Sequence, residues 1–93
     1  MSHTATATRT AADIITIVLP NGETKVVKGK NAAKCSYVIV SLYGTRYRVE
    51  LRGTRDAAEA ALADNLRTTR SVGGKVYPVG HADSGQVVEV IAA

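Results

Sequence analysis

The stretch YVIVSLYGTRYRVELRG, Tyr37 to Gly53, constrains the fold more tightly than any other part of the chain. Gly44-Thr45 suits a type II′ hairpin turn, because glycine alone accepts the positive φ of the first corner without strain. A two-residue loop at that point pairs Leu42 with Tyr47, Val40 with Val49 and Val38 with Leu51. All six are apolar, and strand alternation puts them on one face. A slip of one residue would set apolar residues against charges. The other face then carries Tyr37, Ile39, Ser41 and Tyr43 opposite Arg52, Glu50, Arg48 and Arg46. It is expected to look outward, as a mixed aromatic and cationic surface.

After the hairpin the pattern changes period. GTRDAAEAALADNLRTTR reads as a helix with Thr54 as N-cap, or Asp56, which has capping-box spacing to Glu59. Asp56 and Glu59 lie near the positive end of the helix dipole, and Arg67 and Arg70 near the negative end. Ala58, Ala61, Leu62, Asn65 and Leu66 form the inward stripe, and their small size lets the helix lie close to a sheet.

Two further hairpins are expected. In DIITIVLPNGETKVVKGK, two β-rich runs flank Pro20-Asn21-Gly22. A type I′ turn at Asn21-Gly22 would pair Ile17 with Val26. A type I turn with Pro20 at its first corner and a glycine bulge shifts that register by one. Near the end, KVYPVGHADSGQVVEVIAA predicts strands over 75–80 and 86–92 joined by HADSG, with SVGG as a loop. Pro78 lacks a donor and marks an edge or a bulge. KGKNAAK reads as a basic connection. Residues 1–12, MSHTATATRTAA, read as a polar, disordered leader, so the folded unit is expected over 13–93. The fold class is α+β, a single small domain in ββ-ββ-α-ββ order, with an antiparallel sheet and one helix packed on it.

Composition narrows the function classes. A chain of 93 residues buries only about 60–65% of the surface its unfolded form exposes, so a bound partner would add to modest stability. The absence of Phe and Trp leaves Val, Ile, Leu and Ala to fill the core. The single cysteine, Cys35, excludes an intrachain disulfide and a multi-cysteine zinc site. No run of about 18 apolar residues is present to span a membrane, and a cytoplasmic setting is expected. A net charge of +4 favours anionic partners only weakly.

Nothing in the chain specifies a reaction. His3 lies in the leader and His81 in an expected turn, where a hydrogen bond to Asp83 is ordinary turn chemistry. Gly73-Gly74 lacks the strand-to-helix junction and the Lys-Ser/Thr of a phosphate-binding loop. The chain is expected to be no enzyme and to need no cofactor or metal.

The outward face therefore carries the functional expectation. Tyr37, Ile39, Tyr43, Arg46, Arg48 and Arg52 are the candidate partner-binding residues. Interface cores are enriched in Tyr and Arg and depleted in Lys, and the lysines of this chain lie elsewhere. A protein partner is expected first, with a homodimer as a special case that requires offset arginine rows. The plain alternative is a solvated face, in which cross-strand Tyr–Arg pairs contribute only about 0.2–1 kcal/mol each. Nucleic acid is the other partner class, since arginine pairs with phosphate and guanine edges and tyrosine stacks on bases.

The piece GTRYRVELRGTRDAAEAALADNL resembles the sheet-plus-helix arm-binding domains of phage-type tyrosine integrases. That resemblance implies DNA contact through the sheet. It covers about a quarter of the chain and lacks that family's third strand before the helix. The same piece resembles the dimerisation half of actinobacterial nucleoid-associated proteins, without their DNA-binding half. Small size and a Thr/Ala/Arg/Val-rich composition suit accessory proteins of phages or mobile elements, which often act by occupying a host protein.

Overall fold

In the computed structural model, which describes residues 4–67, 69–78 and 81–92, eight strands and two helices form an α+β domain. In chain order they are β1 (Thr6–Ala11), β2 (Ile14–Val18), β3 (Thr24–Lys28), α1 (Lys30–Lys34), β4 (Tyr37–Tyr43) and β5 (Arg46–Arg52). α2 (Arg55–Leu66), β6 (Thr69–Val72), β7 (Lys75–Pro78) and β8 (Ser84–Ala92) follow. Six strands make one curled sheet in the order β3-β2-β1-β8-β4-β5, and β6 and β7 pair only with each other. All pairings are antiparallel except that of β1 with β8.

The central hairpin has the expected register throughout, from Tyr37 opposite Arg52 to Tyr43 opposite Arg46. The first hairpin takes the bulged alternative. Gly22 N–H donates to Leu19 O at 2.9 Å, and Thr16, not Ile17, lies opposite Val26. A type I′ turn would need positive φ at Asn21, and no described non-glycine residue has it. Pro20 supplies the first corner instead.

Three expectations are corrected. The Thr/Ala run does not remain outside the fold: Thr6–Ala11 forms β1, in the interior of the sheet between β2 and β8, with Ala5 and Ala7 buried. The alternation of Ala5 and Ala7 with Thr6 and Thr8 is a half-buried strand pattern in which alanine permits close approach. Residues 1–3 of the expected leader, His3 among them, lie outside the described residues. The last hairpin is also different. β8 pairs with β4 and β1, and β7 pairs back on β6 across Gly73-Gly74, both at positive φ as a type I′ turn requires. Of the strand expected over 75–80, residues 79 and 80 lie outside the described residues. Finally, the basic connection contains a short helix, α1.

The core lies on the concave side of the sheet. Ile15, Ile17, Leu19, Val38, Val40 and Val88 pack there, joined by the half-buried Tyr47, Val49 and Leu51. α1 contacts β3, β2 and β5, so it spans the gap between the two sheet edges and adds buried Ala32 to the core, with Cys35 just beyond it. Arg9 holds this closure. Its guanidinium donates to Ala32 O at 3.1 Å and Cys35 O at 2.6 Å, satisfying carbonyls at the helix end.

α2 lies on the opposite, convex side, over β4 and β8. Thr54 caps it, its Oγ1 accepting from Ala57 N at 3.2 Å. Ala58 is fully buried, and Ala61, Leu62 and Asn65 are half-buried as expected. Leu66 is the exception, lying exposed. Close approach is possible because β8 offers Gly85. A methyl group there would come 2.5 Å from Leu62 Cδ1 and 3.1 Å from Val40 O.

Candidate functional site

The Tyr/Arg face of the β4–β5 hairpin is the face on which α2 sits. Side chains alternate along β4, so Tyr37, Ile39, Ser41 and Tyr43 share it. Ile39 and Ser41 are fully buried. Asn65 of α2 donates to Ser41 Oγ at 3.1 Å and to Glu50 Oε2 at 3.0 Å, closing the middle of the face with a satisfied polar contact. The expectation of an open face is corrected accordingly. Ile39 leaves the candidate surface, and the remaining residues are divided into two ends.

At the end near the start of α2, Arg55 lies over the Tyr37 ring, 5.1 Å from its centroid, a cation–π distance. Arg55 also lies 3.9 Å from Glu59, and Arg52 donates to its own strand at Leu51 O, 2.7 Å away. These cations have internal partners. A larger hollow of about 450 Å³ nearby, between α1 and β5, has mixed charge: Lys34 and Arg52 against Glu50.

The other end is built differently. Tyr43, Arg48, Asp64, Asn65, Arg67, Thr69 and Arg70 line a cleft of about 190 Å³ where the last turn of α2 passes into β6. Arg46, exposed, stands beside it, opposite Tyr43 in the ladder. Among the described residues three arginines and one acidic residue thus line one cleft, and Asp64 lies 4.0 Å from Arg67. Among the described residues, neither Arg48 nor Arg70 has an ion-pair partner. The cleft holds its shape through the segment after the arm. Ala82 N–H donates to Asn65 O at 2.8 Å, and Asp83 Oδ2 accepts from Gly44 N at 2.8 Å. Asp83 therefore fastens the β4–β5 turn, and no hydrogen bond joins it to the exposed His81.

From this cleft β6 and β7 extend as a bare ribbon. Every residue from Thr69 to Tyr77 is exposed, including Val72, Val76 and Tyr77. The radius of gyration, 14.1 Å, exceeds the roughly 12 Å expected of a compact chain this long, in keeping with a projecting arm. Arg70 lies opposite Tyr77 at its base, and Lys75 lies beside the turn at its tip.

Sequence reasoning found Tyr43, Arg46 and Arg48 but assigned Arg67 and Arg70 only to the helix dipole. The Gly-Gly step between two short β-rich runs was the available signal for an arm that carries Arg70 to the cleft. Among the described residues there is no cluster of three or more metal-ligating side chains, and no helix is long and apolar enough to cross a membrane. No protein family model, curated protein or solved structure matches the chain.

Proposed function

We propose that this chain is a non-enzymatic binding module that grips an acidic patch of a protein partner between the β6–β7 arm and the Tyr43/Arg46/Arg48 end of the sheet. The arm is the observation that carries this reading. A two-stranded hairpin with no third layer is marginally stable in water. This one exposes Val72, Val76 and Tyr77 at 57%, 66% and 49% beside Arg70 and Lys75. Apolar and aromatic side chains ringed by cations match the make-up of an interface core better than that of a solvated turn. The composition suits an accessory protein of a phage or mobile element, acting in the cytoplasm on a host protein.

The test is nuclease-treated affinity purification with tagged chain, comparing the unaltered protein with Tyr43→Ala, Arg48→Ala and Val76→Asp. All three positions are at or near the surface, so circular dichroism should report an intact fold. Loss of one captured protein in these variants, and its retention with Arg55→Ala, supports the reading. An unchanged set of captured proteins refutes it.

Nucleic acid is the second reading, favoured by one observation: a two-stranded ribbon bearing Arg70 and Lys75 has the shape that enters a major groove. It predicts affinity for duplex DNA that falls with salt by a log–log slope of about −0.9 per phosphate contacted. No retention on DNA at low salt removes it.

A further inference from the structure

We infer that the cleft between β5, the end of α2 and the start of β6 is an oxyanion site for a phosphate monoester, presented by the partner as a phosphorylated side chain. The inference rests on the protein-binding reading and adds to it the chemistry of the bound group. Arg48 of β5, Arg67 just past the end of α2 and Arg70 of β6 line one cleft of about 190 Å³, ample for a phosphate group. Like charges gathered in this way repel unless an anion lies among them. Among the described residues that line the cleft, Asp64, beside Arg67, is the one acidic residue, and Glu50 adjoins it, held by Asn65.

The donors also select among anions. Guanidinium groups present paired N–H donors in a planar fork that matches phosphate oxygens, and no lysine lines the cleft. Tyr43 and Thr69 add hydroxyl groups around the same space, while the Asn65 amide is already engaged with Ser41 and Glu50. A carboxylate has two oxygens to share among these donors, whereas a phosphate monoester has three and carries nearly two charges. A diester of a nucleic-acid backbone carries one charge and leaves only two oxygens free for these donors.

The experiment uses the full chain and inorganic phosphate, titrated at constant ionic strength and followed by NMR of backbone amides and arginine side chains. Saturable shifts centred on Arg48, Arg67, Thr69 and Arg70 are expected. Arg48→Gln and Arg70→Gln, both at exposed positions, should each weaken binding by about tenfold or more, while Arg52→Gln and Arg55→Gln leave it unchanged. Shifts that never saturate, or equal weakening by Arg52→Gln, overturn the site. A second arm compares a phosphoserine peptide, its unphosphorylated form and a short DNA duplex. Preference for the phosphopeptide supports the assignment, and tighter binding of the duplex through the same arginines overturns it in favour of nucleic acid. Because the phosphate titration needs no partner, its failure is separable from that of the binding-module reading. Capture of a protein that persists after phosphatase treatment overturns only the phosphorylated ligand.

Discussion

Two hairpins of this chain use the same local grammar and meet opposite fates. β4–β5 and β6–β7 are both antiparallel pairs closed by two-residue turns with glycine at positive φ. β4 is covered on both faces, by the concave core on one and α2 on the other, so Val38, Ile39, Val40 and Ser41 are all buried. From Thr69 to Tyr77, β6–β7 is exposed on both faces. A turn and a ladder specify pairing. What they do not supply is the third layer that makes pairing stable, and the difference between these hairpins is that layer.

The largest test of the contrast is at Ile39. Ile39→Ala removes a fully buried side chain from beneath α2 and should cost about 2–5 kcal/mol by urea denaturation. If Ile39→Ala costs no more than a surface change, α2 does not cover this face. Gly85→Ala comes next. The new methyl group meets Leu62 Cδ1 and Val40 O, and the overpacking should cost about 1–3 kcal/mol. In a Gly85→Ala/Leu62→Ala double variant the two costs should not add, since shortening Leu62 makes room for the methyl.

Thr54→Ala should cost about 1 kcal/mol through loss of the N-cap to Ala57, with the same denaturation readout. The smallest effect belongs to the arm. Val76→Ala should change stability by no more than about 0.5 kcal/mol, because its side chain is largely exposed. Native-state hydrogen exchange completes the series: amides of β6 and β7 should exchange through openings of near-zero free energy, while those of β4 report global unfolding. Strong protection in the isolated arm would show that another surface already covers it.

Legibility followed the range of the interactions. The Tyr37–Arg52 to Tyr43–Arg46 register was readable because turn chemistry and apolar alternation act within a few residues and agree. The candidate site was half readable for the same reason: Arg46 and Arg48 belong to the hairpin, whereas Arg67 and Arg70 reach the cleft only through the course of α2 and β6. One signal was present and outweighed. Val38-Ile39-Val40 is an unbroken apolar run, and such runs mark strands covered on both sides. Alternation along the rest of the hairpin argued for a single buried face.

By itself, then, the sequence determined the central hairpin and its register, a helix opening at Thr54 or Asp56, and the α+β class. All of these rest on local periodicity and backbone stereochemistry. Tertiary structure alone decided that β1 pairs in parallel with β8, that α2 covers the Tyr/Arg face, and that β7 returns to β6 while β8 joins the sheet. Those outcomes depend on which surfaces exclude water from one another across the whole chain. Small residues such as Ala5, Ala7, Ala58 and Gly85 carry that information weakly, since what they contribute is the space left for a neighbour.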